Sequence, residues 1–460
     1  MQAQCSAEQF EFSCVERRRV VAAFDGGRVT SDGGALLLKR TDEAIGLIDR
    51  VARCFRDART PWLVEHSVRS LIGQRLFGLA LGYEDLNDHE ELRKDPLFGT
   101  LMGKLEARRS DCEALAGKST LNRLELYPRA GSSVYHKIVP DGAALERLFV
   151  ELFLDAHAAV PREIVLDLDA TDVPLHGEQE SRFFHGYYDH YCYLPLYIFC
   201  GQQLLCAKLR PANIDGAAGA VEEVERIVGQ IRGRWPQTRI ILRADSGFAR
   251  DGLMSWCESH CVDYVFGLAK NARLKRAIGA ELHEAKRLCA ISGHSARVFK
   301  EFTYRTRKSW SRERRVVAKA EATTLGPNPR FIVTSLSAED LAPRALYEDF
   351  YCARGEAENR IKECQLNLFG DRLSAHLLAV NQLRLWFASF AYVLMESLRR
   401  LALSATPFAN ATAATIRLKL LKIGATVITS VRRVKLAMSS MHPYQREFSV
   451  AFSALSAAAR

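Results

Sequence analysis

Apolar residues recur at helical spacing through most of the first third of the chain. Ser31-Asp32-Gly33-Gly34 precedes one periodic stretch, Ala35 to Phe55. A second runs from Val64 to Leu81, with Ser67, Arg69, Gln74 and Arg75 off its apolar face. Gly82 suits the end of that helix, where a left-handed residue is common. The period then changes. In Glu163–Asp169 (EIVLDLD), Ile164, Leu166 and Leu168 alternate with Val165, Asp167 and Asp169, which predicts a strand. Tyr191–Phe199 and Gln203–Leu209 are two further apolar runs, joined through Cys200-Gly201-Gln202 as a hairpin. Ala217–Trp235 reads as an amphipathic helix closed by Pro236. Arg239–Ala244 reads as a buried strand, Leu253–His260 as a helix and Val262–Leu268 as a strand. The predicted order is β-β-β-α-β-α-β. Next come a helix near Leu274–Leu288 and three β-prone runs, Ala296–Thr306, Arg314–Ala322 and Phe331–Leu336. Two long helical patterns, roughly Arg344–Leu366 and Ala375–Leu401, and a basic tail complete the chain.

Hydrophobic residues make up 48% and charged ones 26% of 460 residues, a balance that supports packed domains rather than disorder. Of the twelve cysteines none forms a CxxC pair. The closest spacing, Cys257 to Cys261 beside His260, lies in an apolar helical stretch and is read as buried thiols. No secretory signal is visible at the start. The most apolar helix, Leu385–Leu398, is interrupted by Glu396 and follows Asn381, Gln382 and Arg384, so it is read as too short to span a bilayer. These features predict a reduced, cytosolic protein without membrane contact. Gly117-Lys118-Ser119-Thr120 imitates a phosphate-binding loop, but Cys112 stands where the leading glycine belongs, and nucleotide binding is rejected.

The formal net charge of +10 points to a polyanionic partner, and its distribution sharpens the point. Arg297 to Lys319 holds nine cations, among them Arg305, Arg307, Lys308, Arg312, Arg314 and Arg315, against Glu301 and Glu313, with Phe299, Tyr304 and Trp310 interleaved. Ser397 to Arg446 holds nine more, including Arg417, Lys419, Lys422, Arg432, Arg433 and Lys435, and no acid. A single charge run is usually a solvated face; two concentrated stripes favour phosphate contact. The first is expected to line one sheet face, and the segment around Arg417–Lys422 to form a helix packed on one side and basic on the other.

Two acids end apolar strands: Asp169 in VLDLDATDVPLHG and Asp245 in IILRADSGF. Aspartate is depleted in strands and a buried charge is costly, so each is either a turn cap or a group placed for chemistry. A third carboxylate lies in YCARGEAENRIKECQ. On a helix, Tyr351, Arg354, Glu358, Lys362 and Gln365 share one face, which reads either as a solvated stripe with an Arg354–Glu358 ion pair or as one acid set among cations and a phenol.

The strand order, Asp169, Asp245 and Glu358 together resemble the RNase H-like core of DDE transposases. Tyr351, Arg354 and Glu358 match the Y-(2)-R-(3)-E signature of the IS4-like superfamily. FDGGRVTSDGGALLL, LDLDATDVPLHG, RADSGF, RGEAENRIKE and the tail segment TIRLKLLKIGA resemble the IS1380 family over nearly the whole chain. The resemblance implies an α/β fold in five regions. These are a mainly helical, DNA-end-binding 1–155, the core's first part at 156–269, a β-rich basic insertion at 270–342, the glutamate helix and its successor at 343–402, and a basic 403–460. It implies Asp169, Asp245 and Glu358 as catalytic ligands of two Mg²⁺ ions, with Mn²⁺ able to substitute, and Asp167 and Asp172 as fallback ligands. Tyr351, Arg354 and Lys362 become DNA-end contacts. One position departs from the signature: Gln365 stands where its lysine belongs, and Lys362 lies on the same face one turn earlier. The implied partners are double-stranded DNA (terminal inverted repeats and target) and a second copy in a homodimer, in the bacterial cytoplasm at the nucleoid. A structure-selective nuclease of the same core, and a non-catalytic DNA-binding derivative, are the competing readings. His176, His185 and His190 are assigned ordinary polar roles, and Tyr187 and Tyr188 a weak base-stacking one.

Overall fold

The computed structural model describes residues 8–126 and 137–458; Cys5 lies outside them. The chain divides into two compact units, Asp141–Ser389 and the pair Met1–Pro140 with Phe390–Arg460.

The first of these is built on a nine-stranded sheet. Its strands are β1 (Glu163–Ala170), β2 (Leu196–Cys200), β3 (Gln203–Lys208), β4 (Arg239–Ala244), β5 (Asp263–Leu268), β6 (Ala296–Tyr304), β7 (Arg314–Thr323) and β8 (Arg330–Thr334). The order across the sheet is β3-β2-β1-β4-β5-β8-β7-β6, with the short Gly326–Pro327 strand paired to β7. β1, β2 and β3 are antiparallel, β4 is parallel to β1, and β5 is parallel to β4. Gly201 takes φ +58 in the two-residue turn between β2 and β3, a conformation that costs glycine nothing. The predicted Tyr191–Phe199 strand is two strands in different sheets. His190–Tyr193 pairs with the short Val173–Pro174 and Phe183–His185 strands, and β2 begins after Pro195, which lacks the N–H needed to continue a ladder. The strands after β5 extend the same sheet, because β8 pairs antiparallel with β5.

The period-2 pattern of β1 sorts its side chains between two cores. Ile164, Leu166 and Leu168 face helices Gly142–Asp155 (α1), Ala220–Arg234 (α2) and Asp251–Ser259 (α3). Val165 faces the opposite core, with Ile241, Val265, Val317, Leu346 and Tyr347. The helical run covering that second face spans 343–367. Its regular α-helical part is Gly355–Lys362 (α4), flanked by wider π-turns at Leu346–Tyr351 and Glu363–Asn367. Asp167 and Asp169 project on the Val165 side, so alternation along one strand aims both acids at the helix that carries Glu358.

In the other unit the predicted Ala35–Phe55 helix is broken at Gly46, whose φ of +62 ends Leu36–Ile45 before Leu47–Arg53 begins. Val68–Leu81 is capped by Ser67, which accepts from Ser70 N, and closed by left-handed Gly82. Gln74 and Arg75 are not off its buried face. Gln74 is fully buried and exchanges two hydrogen bonds with the Ala116 backbone, and Arg75 pairs with buried Glu125 at 2.8 Å. Gly34 packs against the C-terminal segment so closely that a Cβ there would lie 1.9 Å from the Leu420 carbonyl oxygen. Strands Ala425–Ser430 (β9) and Arg433–Met438 (β10) form a hairpin that pairs with Val29–Thr30. The long apolar helix begins at Leu378, within the predicted Ala375–Leu401 pattern, and its apolar length exceeds Leu385–Leu398. Leu378–Leu403 is 26 residues and apolar enough to cross a membrane, with 78% of its most apolar stretch buried inside the protein.

Candidate active site

Parallel pairing of β1 and β4 matches Asp167 with Arg243 and Leu168 with Ala244, so Asp169 and Asp245 emerge side by side at the carboxyl ends of adjacent strands. That end of an open α/β sheet is where ligands usually bind. Asp245 is also a turn cap, accepting from Gly247 N at 2.8 Å. The cap role and the site role are held by one residue. Glu358 arrives from α4, and Asp169, Asp245, Glu358, Arg354 and Lys362 line one cavity of about 660 Å³. Arg354 bridges two of the acids, its guanidinium 2.6 Å from Glu358 and 3.8 Å from Asp169.

Burial pushes the Asp169 carboxyl up to about 7; Arg354 opposes the shift, and Asp245 and Glu358 add to it. Three acids sharing a cavity with one bridging arginine make a site short of positive charge. For Arg354, burial works against the charge and Asp169 and Glu358 for it, and its affinity for the proton rises.

The two fallback acids each have a partner of their own. Asp167 is buried and gripped by Arg243 through two hydrogen bonds of 2.6 and 2.8 Å, and Arg243 also donates to the Phe350 carbonyl. Asp172 is held by His190 Nε2 at 2.8 Å. Tyr351 lies off the cavity lining and packs in the second core. Gly267 makes room for it, since a Cβ there would sit 2.6 Å from the Tyr351 hydroxyl. Gln365, in the signature's lysine position, and Lys362 both line the cavity; Gln365 is buried and donates to the Asp172 carbonyl, whereas Lys362 is exposed. His185, Tyr187 and Tyr188 also line it, Tyr187 at 85% exposure. Thr171, Gly216 and Ser246 are among the other lining residues, and no sequence motif singles them out except Ser246, by its place directly after Asp245.

The basic stretches are largely neutralised within the fold. Arg314 is buried, bound to Glu258 and Asp251, and cannot reach a phosphate. Arg312 pairs with Glu258, Arg315 with Glu301, Arg297 with Glu321 and Glu348, and Lys319 with Glu321. Arg305 donates to the Trp310 carbonyl. The cations do not share one sheet face either. The β6–β7 register places Arg297, Arg315 and Lys319 on one side and Lys300 and Arg314 on the other. In the tail, Arg417 donates to the Ala80 and Leu79 carbonyls at the end of Val68–Leu81, and Lys422 binds buried Asp32 at 2.7 Å. These two are internal fasteners. Arg307, Lys308, Arg432, Arg433 and Lys435 are exposed without an ion pair among the described residues. Cys257 is buried as expected, but Cys261 is exposed at a left-handed turn.

Among the described residues no three acidic, His or Cys side chains stand close enough to hold an ion as they are. The donor set nevertheless fits a hard divalent cation, being three carboxylates around one cavity with a charge deficit. Arg354 must release Glu358 for both acids to turn to it.

An α/β protein with two strand-end aspartates and a helical glutamate converging at one sheet end is a candidate for phosphoryl-transfer chemistry. Residues 12–460 match the family model described as Transposase DDE domain group 1, and the chain belongs to that family. It is a transposase of the DDE type, and DNA is the substrate such an enzyme acts on. No curated protein sequence matches it.

Proposed function

We propose that this chain is the transposase of an insertion sequence, of the IS1380 family within the IS4-like superfamily, with an RNase H-like core. The 3-2-1-4-5 order of β1 to β5, with the first three antiparallel, supports that core. The observation that carries the function is the meeting of Asp169, Asp245 and Glu358 in one cavity. The protein binds the element's terminal inverted repeats as a homodimer, hydrolyses the 3′ strand ends and joins them to target DNA.

Asp169, Asp245 and Glu358 would hold Mg²⁺, or Mn²⁺ in its place. Bound there, such ions would supply Lewis-acid polarisation of the phosphodiester oxygens. The chain's own residues supply the rest. Asp245 is fixed by its turn bond to Gly247, and Asp169 by its strand, so two donors are positioned before substrate arrives. Arg354, released from Glu358, is within reach of a DNA phosphate at the same cavity. Lys362 is exposed beside it with no ion partner among the described residues, and Tyr187 offers an exposed ring on which a base could stack. Arg307, Lys308, Arg432, Arg433 and Lys435, all exposed, add further DNA contacts.

Cleavage and joining of duplexes bearing the inverted repeats that flank the gene test the reading. Mg²⁺-dependent nicking at the repeat end, followed by joining of pre-cut ends, is the expected result; cleavage without joining marks a nuclease, and neither marks a binding protein. Lys362→Ala is expected to weaken repeat binding and reduce the slope of log affinity against log salt by about 1. An unchanged slope in a salt titration assigns Lys362 to solvent. Arg354→Ala is expected to lower cleavage more than binding, as read from single-turnover rates against affinity.

A further inference from the structure

The hairpin of β9 and β10 has two unlike faces. Residues paired directly across the ladder project to the same side, so the register assigns Ala425, Val427, Leu436 and Met438 to one face and Ile428, Ser430, Arg433 and Lys435 to the other. These four residues of the first face are buried or half-buried, and only Thr429 near its tip is exposed. The second is exposed, Ile428 to 53%, and the two-residue tip that joins the strands, Val431-Arg432, projects fully into solvent. No Asp or Glu occurs between residues 397 and 446 to neutralise it.

From this placement we infer that the β9–β10 ribbon enters the major groove of duplex DNA and reads it through the Ile428, Ser430, Arg433 and Lys435 face. The inference rests on the proposed function and names the element that touches bases. Charge selects a polyanion, since three cations at and beside the tip have no ion partner among the described residues. Width selects the groove. Two strands about 4.8 Å apart with their side chains fit a major groove about 12 Å wide and not a minor groove about 6 Å wide. Chemistry selects reading over mere attachment. Arginine and lysine match the guanine O6 and N7 edge, a serine hydroxyl serves either kind of base, and an apolar side chain suits the thymine methyl. The buried opposite face holds the ribbon at a fixed angle, which register-dependent reading requires.

The test uses the full chain and a short mixed-sequence duplex probed with dimethyl sulfate, which methylates guanine N7 in the major groove and adenine N3 in the minor groove. The wild type should protect a set of guanine N7 positions. Arg433→Ala with Lys435→Ala should lose those protections and about tenfold or more in affinity. Arg433→Lys with Lys435→Arg, which keeps the charge, should recover affinity but not the protection pattern. Both positions are exposed, and circular dichroism should confirm an intact fold. Protections that persist in the alanine variant, or that fall at adenine N3, overturn the inference. If the wild type binds and cuts DNA while the variant does so equally, this inference alone fails; if the wild type binds no duplex, the functional proposal fails with it.

Discussion

Asp245→Asn is expected to abolish strand cleavage, by about a thousandfold or more, while leaving the fold and duplex binding intact. The asparagine oxygen can still accept from Gly247 N, so the turn after β4 survives. What is lost is one negative donor, and stabilising two reacting oxygens through bound cations is worth several kcal/mol. Asp169→Asn should lose activity on the same scale and leave or raise the melting temperature in metal-free buffer. That carboxyl is half-buried, and an amide in its place removes the desolvation cost of the charge and, secondarily, its repulsion by Asp245 and Glu358. Single-turnover cleavage, thermal melting and duplex affinity on the same preparations check both. An Asp245→Asn enzyme that cuts at the wild-type rate contradicts the assignment.

Asp167→Ala has the opposite profile: loss of stability. The guanidinium of Arg243 is buried with Asp167 as its ionic partner, and removing one member of such a pair costs about 3–5 kcal/mol because the other charge stays desolvated. Replacing both, Asp167→Leu with Arg243→Met, should recover much of that loss, less what the Phe350 carbonyl bond contributed. Denaturant titrations of the two variants measure the difference. Equal midpoints for wild type and Asp167→Ala would show that the pair is not the fastener of β1, β4 and the helix above them.

Two aspartates on one face of a strand, Asp167 and Asp169, have different surroundings, and local sequence could not tell them apart. The alternation in EIVLDLD put Asp167 and Asp169 on the same side, but what separates them is Arg243, on a strand that only the fold brings alongside. The helix face of Arg354, Glu358 and Lys362 was legible because spacing along one element is local. Tyr351, one turn before Arg354, packs its ring in the second core and brings its hydroxyl beside Arg354 and the Asp245 turn, a position that spacing along the helix alone could not give. Charge density misled for the same reason as Asp167. The acids that neutralise Arg314 lie on α3, and the acid that holds Lys422 is Asp32 near the other end of the chain. A net charge counted along a segment cannot register partners that folding supplies. The hairpin turn at Gly201 and the helix end at Gly82 were readable, since each depends on a residue's own conformational preference, whereas Ser67, read as part of the helix, is its N-cap.

The most direct test of the central claim is to let the bound metal report its own position. Fe²⁺ exchanged for Mg²⁺ in the full chain, with ascorbate and peroxide, generates radicals that cut the polypeptide beside the ion. The account predicts cleavage around Asp169, Asp245 and Glu358 together, suppressed by excess Mg²⁺ and absent in Asp245→Asn. Cuts confined to other segments, in a preparation that still cleaves DNA with Mg²⁺, would contradict it.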